Sequence, residues 1–274
     1  MVRCVGCDLR ITWPRADDAT LARIYEDEGY YNSGGMGHTA SGAWRERARG
    51  ILGVLQTRPG SVLDFGAGEG HFVHALREMG LIAEGVEPSP AGRAAARRLY
   101  GLDLRSEVSH DLNGRFELVT MVHSLEHMAN PVQTLSQVKE LLEPSGVVFI
   151  EVPHAGSVDM WWPRRRREIL SLPVHLYHFV PATLIRVVEG AGLRLVDLRL
   201  ANPDILEWLL KVRARWRPPG GPAESGAQAG SEVDCSTPYR KSGRARSLWA
   251  SRVLPWVRRY CPGGQLQLVA TRVS

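Results

Sequence analysis

Ser61-Val62-Leu63-Asp64-Phe65-Gly66-Ala67-Gly68-Glu69-Gly70 is the stretch that decides the fold. Apolar residues run into an aspartate, and glycines then stand at 66, 68 and 70. The pattern reads as a short buried strand that breaks into a glycine loop and then into a helix from His71 to Met79. Such a loop lets the backbone approach a bound ligand with no side chain in the way. Few ligand classes need that, so these residues narrow function as well as fold.

Outward from this stretch, strands and helices alternate. Val62–Phe65 is read as the first strand, Ile82–Val86 as the second, Leu102–Leu104 as a short third and Phe116–His123 as the fourth. Val147–Val152, Leu193–Leu200 and Gln265–Thr271 follow as the fifth, sixth and last. Ala91 to Tyr100 is rich in alanine and arginine and should be helical. Asn130-Pro131 supplies a cap and a first-position proline for a helix running to about Leu142. Another helix starts at Pro181 and stops at Gly190-Ala191-Gly192. This order implies an α/β protein with a Rossmann-like, doubly wound, mostly parallel sheet. Residues 1–40 read as a small N-terminal element and lid, with Tyr30 and Tyr31 in a glycine-rich loop. Residues 41–200 read as the core, 201–262 as an insertion and 263–274 as the last strand of the core. The insertion combines linker composition with a basic, tryptophan-containing end.

The 274-residue chain carries a net charge of +5, with arginine far outnumbering lysine. A solvated basic surface is the plain explanation, and an anionic substrate is the sharper one. No nucleic-acid module is visible. No apolar run approaches the roughly 18 residues of a membrane span, although the basic end of the insertion could touch a membrane surface. The start of the sequence lacks the apolar core of a signal peptide, so a cytoplasmic protein is expected. Cys4 and Cys7 form a C-x-x-C, one knuckle of a zinc ribbon. Zinc would need Cys235 and Cys261 to fold back to them; free thiols in a reducing compartment are the reading taken, with zinc as the alternative.

In a parallel α/β sheet the ligand sits beyond the carboxyl ends of the strands. The loop to Gly70 should lie there, and Glu87 ends the second strand seventeen residues later. A carboxylate at that place can accept hydrogen bonds from both ribose hydroxyls of a nucleoside. A dinucleotide fingerprint would put its third glycine at 71, where this chain has His71. Asp64, just ahead of the loop, suits a cationic ligand better than a pyrophosphate. S-adenosylmethionine, with its ammonium and sulfonium, is therefore favoured over NAD.

Val62 to Gly70, then Gly85-Val86-Glu87-Pro88-Ser89, Phe116-Glu117-Leu118-Val119 and Ser124-Leu125-Glu126-His127-Met128-Ala129-Asn130-Pro131 resemble the successive motifs of class I S-adenosylmethionine-dependent methyltransferases. The subgroup most similar has an L-E-H signature after strand four and a later H-x-x-x-F-x-P-x-x-L segment, here His175 to Leu184. The resemblance spans about Leu21 to Leu200 and implies a last, antiparallel strand. It also implies that Asp64, Gly66, Gly68 and Gly70 hold the amino-acid part of the cofactor. Glu87 would take the ribose, with Pro88 and Ser89 beside the adenine, and His123 and Ser124 would line the methionine side. The resemblance extends to a partial zinc ribbon, of which Cys4-Val5-Gly6-Cys7 matches the second knuckle.

Methyl transfer is an in-line displacement at a sulfonium methyl, and a base is needed only where the acceptor has a proton to lose. Glu126, His127, His175 and His178 are the candidate catalytic residues, histidine being suited to proton transfer near neutral pH. Tyr30, Tyr31, Arg164 and Arg165 are the candidate acceptor-binding residues, the arginines for an anionic or nucleotide-linked acceptor. The expected activity is methyl transfer to an O, N or C atom of a small biosynthetic molecule. A non-catalytic binding or scaffold protein retaining the fold is the alternative.

Overall fold

Five residues, Ser61–Phe65, form the strand on which the molecule is centred, and all but the first are buried. The structure, a computed structural model, describes residues 1–26, 41–55, 58–157, 160, 163–201 and 264–273. Its strands are β1 (Val2–Arg3), β2 (Arg10–Ile11), β3 (Ser61–Phe65), β4 (Ile82–Val86), β5 (Phe116–Val122), β6 (Leu142–Pro153), β7 (Tyr177–His178), β8 (Leu193–Ala201) and β9 (Gln265–Arg272). Its helices are α1 (Asp18–Glu26), α2 (Ser41–Val54), α3 (His71–Glu78), α4 (Pro90–Tyr100), α5 (Pro131–Leu141), α6 (Pro163–Leu170) and α7 (Pro181–Gly190). Six strands make the main sheet in the order β4-β3-β5-β6-β9-β8. Strands β3 to β6 run parallel, and β9 runs antiparallel between β6 and β8. The doubly wound α/β expectation, with its reversed last strand, matches this sheet.

Both faces of the sheet are covered. Alternate residues of β3 belong to different apolar clusters: Leu63 packs with Val119 and Ile150, whereas Val62 packs with Leu118, Phe149 and the α3 residues Phe72 and Leu76. A strand buried on both sides needs a continuous apolar run, which is why β3, β5 and β6 read so clearly as strands. The two long helices that follow strands start on ready-made caps. Ser89 accepts from Gly92 N ahead of α4, and Asn130 accepts from Gln133 N ahead of α5, each with a proline opening the helix.

Two expectations about the sheet are corrected. Leu102–Leu104 is not a strand; only a bridge between Val86 and Arg105 forms beyond β4. It consists of Arg105 N donating to Gly85 O and Glu87 N donating to Arg105 O. The segment leaves α4 through Gly101 in the left-handed conformation and has too few residues to extend the ladder. Strand β6, by contrast, begins at Leu142 rather than Val147, and Pro144-Ser145-Gly146 lies inside it. The extra length is absorbed by a register shift between Phe116 and Leu118.

The start of the chain is tied to the core. β2 pairs antiparallel with β1 and with β7, forming a three-stranded sheet. Thr12 N donates to Leu176 O, and Arg186 donates to the Cys7 carbonyl. This places α1 directly above the carboxyl ends of β3, β4 and β5, against α4. The expected insertion, residues 201–262, lies outside the described residues apart from Ala201. Among the described residues, no helix is long and apolar enough to cross a membrane.

Candidate functional site

A cavity of about 420 Å³ opens at the carboxyl ends of β3, β4 and β5. The size is that of an ordinary small-molecule site. Its floor is the glycine loop at Gly66 and Gly68, one wall is Glu87 to Pro90, and another is His123, Ser124, His127 and Met128. Helix α1 closes the top with Ala22, Tyr25 and Glu26. Those three stand at the i, i+3, i+4 spacing of one helix face.

The loop has little freedom to be anything else. Gly66 has φ 84, in the left-handed region, and a Cβ there would lie 2.6 Å from Ser124 Cβ. Only glycine satisfies both conditions. Gly66 N and Ala67 N both donate to Val86 O, at 2.8 and 2.9 Å, which pins the loop to the end of β4. Gly70 stands behind the cavity instead. It leads into α3, and a Cβ there would press 2.9 Å from Leu102 Cδ1. His71, where a dinucleotide site has its third glycine, is buried between Tyr100, 2.5 Å from its Nδ1, and Glu69, 3.0 Å from its Nε2.

Two carboxylates stand at the carboxyl ends of the neighbouring strands β3 and β4. Glu87 accepts from Gly68 N through Oε2 and from Ser89 N through Oε1, both at 2.8 Å. Burial raises its pKa against the pull of those two amides and of Arg93. Each oxygen takes one protein donor and keeps room for another. Ser89 also donates to Tyr25 O at 2.7 Å, fastening α1 to the wall. Asp64 does not line the cavity. It is buried beneath the loop, accepts from the Thr120 hydroxyl at 2.7 Å, and is raised by desolvation to about 7.

The opposite end of the cavity holds a group of charged side chains. His123 has φ 53, left-handed for a residue with a Cβ, and lies between two buried carboxylates. Its Nδ1 is 3.4 Å from Glu126 Oε1, and its Nε2 is 3.3 Å from Glu151 Oε1. Burial alone would lower its pKa, but those carboxylates raise it to about 9. Desolvation pushes Glu126 up, and the cationic His123 beside it holds it down to about 2. Glu151 is also met by Arg47 and by Gln267 Nε2 at 2.7 Å, and stays below the usual carboxylate range.

His127 and His175 meet edge to face with ring centroids 4.7 Å apart. Burial drives His127 down to about 4 and lowers His175, so both are neutral at pH 7. His127 Nδ1 is 2.9 Å from the Tyr25 hydroxyl. His175 Nδ1 donates to Ile169 O at 2.8 Å, which leaves Nε2 as a bare acceptor facing Glu126 Oε1 at 3.9 Å.

The structure thus brings Gly66, Gly68, Glu87, Pro88, Ser89, His123, Ser124 and His127 to the cavity wall, with Glu126 and His175 just behind it. His178 stands apart: its Nε2 is 2.8 Å from Thr12 Oγ1, at the join between β2 and β7, and burial lowers it to about 4. Arg164 and Arg165 belong to α6, but their side chains are outside the described residues, as are Tyr30 and Tyr31. Cys4 and Cys7 form a turn in which Asp8 N donates to Cys4 O, and backbone amides and Cys7 lower the Cys4 thiol. Among the described residues no third potential ligand gathers with them. Sequence reasoning missed Tyr25, Arg47 and Glu151. Glu151 carries a readable signal, an acid inside the apolar run Val147–Val152; Tyr25 carries only its spacing from Ala22.

Comparison with known proteins identifies the family of the chain. A family model described as a methyltransferase domain matches residues 36–198. A ubiquinone biosynthesis O-methyltransferase of Pseudomonas paraeruginosa is 26% identical over 117 residues, which are 39% of this chain and 47% of that protein. The chain therefore spans about half the length of that relative. The C-methyltransferase NovU of Streptomyces niveus is 28% identical over 148 residues, 52% of this chain and 34% of that protein. Among solved structures, an S-adenosylmethionine-dependent methyltransferase from Archaeoglobus fulgidus superposes with a TM-score of 0.56 at 15% identity, covering 93% of this chain and all of the other. The 1,6-didemethyltoxoflavin-N1-methyltransferase of Burkholderia thailandensis, solved with S-adenosylhomocysteine, gives 0.54 at 16% identity over 100% of this chain and 99% of its own.

Proposed function

The chain belongs to the methyltransferase domain family, its family model covering residues 36–198, and on that footing we propose that it moves a methyl group from S-adenosylmethionine to a small-molecule acceptor. One observation carries the reading. A single cavity has a side-chain-free backbone floor and a nucleoside-suited carboxylate at one end, and a cluster of titratable groups at the other.

The residues present fit the cofactor. Gly66 and Gly68 leave the floor open, and each Glu87 oxygen has room for a ribose hydroxyl beyond its amide donor. Pro88 and Ser89 form the adjoining wall for the adenine, and the buried Ser124 hydroxyl, without a hydrogen-bond partner among the described residues, supports a contact to the methionine side. Asp64 acts from beneath the loop, where its negative charge adds to that of Glu87 and favours a cationic ligand. When bound, S-adenosylmethionine supplies a methyl group activated on a sulfonium.

The chain's own part is orientation and proton handling. Helix α1 covers the cavity through Tyr25, excluding water from the reacting atoms. The cluster of Glu126, His127 and His175 lies where an acceptor must give up its proton. His178 holds the β2–β7 join through Thr12 and has no part in that chemistry. We assign Tyr30, Tyr31, Arg164 and Arg165 to acceptor binding, the arginines for an anionic group. The relatives named for O- and C-methylation leave oxygen and carbon acceptors as the first to try.

The test is a screen of acceptors with purified full-length protein and radiolabelled S-adenosylmethionine, paired with calorimetric titration of S-adenosylhomocysteine. Micromolar binding with release of S-adenosylhomocysteine in the presence of an acceptor is expected. Binding with no turnover against any acceptor would turn the reading to the scaffold alternative, which no feature of the site favours. Absence of binding would overturn the cofactor assignment itself.

A further inference from the structure

Glu126 raises a question that methyl transfer does not answer. It is 1% exposed, and among the described residues neither of its oxygens has a hydrogen-bond partner. A buried carboxylate left without donors is costly, and native structures supply it with hydrogen bonds or an ion. His123 lies at ion-pair distance from Oε1, at 3.4 Å, and Oε2 is buried with no hydrogen-bond partner among the described residues. Around this carboxylate the fold collects two imidazoles. One ligand atom from each of Glu126, His127 and His175 falls within a 4.8 Å group.

The arrangement of the imidazoles narrows the reason. The carbonyl of Ile169 can only accept, so His175 carries its proton on Nδ1 and turns the lone pair of Nε2 toward Glu126. The 3.9 Å gap from that Nε2 to Glu126 Oε1 is too long for a hydrogen bond. It is a gap that one ion about 2.0–2.2 Å from each atom would span. The His127 ring is held in place by the Tyr25 hydroxyl, 2.9 Å from Nδ1, a group that can donate to or accept from that nitrogen. Holding one nitrogen of His175 on a fixed acceptor while the other faces the carboxylate is how proteins prepare histidines for metal.

We propose that Glu126, His127 and His175 form a binding site for a divalent first-row transition ion. Two imidazole nitrogens and one carboxylate oxygen suit Zn²⁺, Fe²⁺, Co²⁺ or Mn²⁺, and are wrong for Ca²⁺, which takes oxygen ligands. Three protein ligands leave coordination positions open, and His127 lines the cavity, so the ion borders the acceptor's space. Resting on the methyltransferase reading, the consequence is an acceptor that presents a hydroxyl oxygen: coordination lowers its pKa, and the oxygen meets the methyl group as an anion. The site is distinct from the Cys4–Cys7 turn, which has sulfur donors.

The experiment is Co²⁺ titration of chelator-treated, full-length protein, read by visible absorption. A Cys4→Ser/Cys7→Ser double variant removes the C-x-x-C thiolates, and a thiolate charge-transfer band remaining in it would report ligation by Cys235 or Cys261 instead. One Co²⁺ per chain is expected, with nitrogen and oxygen ligand-field bands and no thiolate charge transfer, and with equal affinity in the double variant. Glu126→Gln and His175→Ala in that background should each weaken binding by tenfold or more. Tyr25→Phe, which leaves all three ligands and the core in place, should weaken it by about tenfold through loss of His127 orientation. No Co²⁺ binding in the double variant, or undiminished binding in all three ligand and positioning variants, would overturn the site. The two readings fail separately. S-adenosylhomocysteine binding and chelator-resistant methyl transfer without Co²⁺ binding would remove the metal and leave the methyltransferase. Co²⁺ binding without cofactor binding would do the reverse.

Discussion

Replacing Asp64 by asparagine should stabilise the protein while damaging its function. Asp64 is 3% exposed, and desolvation, assisted by the nearby charge of Glu87, raises its pKa from 3.8 to about 7. Thr120, donating at 2.7 Å, and Arg47 oppose the rise without cancelling it. The sign follows from linkage. A carboxyl whose folded pKa lies above its unfolded value favours folding only while protonated, so its stability is intact below pH 3.8 and is lost as pH rises through 7. A shift of about three pKa units corresponds to about 4 kcal/mol at pH 8 and above. Asparagine keeps an acceptor for Thr120 and has no charge to bury. Thermal melting of wild type and Asp64→Asn, without ligand, should give nearly equal midpoints near pH 4 and a higher midpoint for the variant at pH 8, by on the order of 10 °C. Cofactor affinity should fall in the same variant, since the ionised aspartate is what recommends a cationic ligand. A midpoint difference that is flat with pH, or a variant less stable at pH 8, would refute the claim that Asp64 is ionised at the cost of folding.

Three further substitutions probe the site. Gly66→Ala places a methyl group 2.6 Å from Ser124 Cβ at φ 84; urea unfolding should show a loss of about 2–4 kcal/mol, and S-adenosylhomocysteine binding should vanish. Glu87→Gln keeps the shape of the side chain but removes the charge that holds Gly68 N and Ser89 N, both at 2.8 Å; calorimetry should record cofactor binding weakened by at least about tenfold. Glu151→Gln strips the shared counter-charge from Arg47 and His123; chemical denaturation should show a loss of about 3 kcal/mol, as expected when one member of a buried ionic group is removed.

The parts of the fold legible in the sequence were those governed by local rules. Both faces of β3, β5 and β6 are buried, so their apolar runs announce them, and Ser89 and Asn130 announce the helices they cap. The cofactor end of the cavity was legible for the same reason, because Gly66, Gly68 and Glu87 sit in two short contiguous motifs. Leu102–Leu104 looked like a strand on side-chain type, but strand length depends on a neighbour, and only Arg105 finds one beside Val86. The start of β6 was hidden because Pro144 and Gly146 signal a turn, whereas pairing between Phe116 and Leu142 holds the segment extended. Helix α1 gave no hint that Tyr25 would reach His127, 102 residues away.

The acceptor end of the cavity depends on tertiary coincidence in a way that one residue makes plain. His123 follows the last residue of β5 and adopts φ 53, a conformation that costs a residue with a Cβ about 1–2 kcal/mol. Such strain persists only where the surroundings over-determine it. Here they do. Val122 lies beside Glu151 in the parallel register of β5 and β6, and Glu126 follows His123 by three residues on a 3₁₀ turn, Leu125–His127. A residue continuing β5 in extended geometry would carry its side chain away from that gap; the left-handed turn sets the imidazole between the two carboxylates, at 3.3 and 3.4 Å. The ion pairs repay the backbone strain, and the same turn delivers Glu126 and His127 to His175. The strained residue, the buried anion and the two neutral histidines are therefore one construction. A substitution at His123 should disturb all of them together, lowering Co²⁺ affinity and acceptor turnover by more than it weakens S-adenosylhomocysteine, since His123 lines the cavity but Glu87 stands at its other end. Loss of Co²⁺ binding with turnover unchanged would show that the construction is not shared.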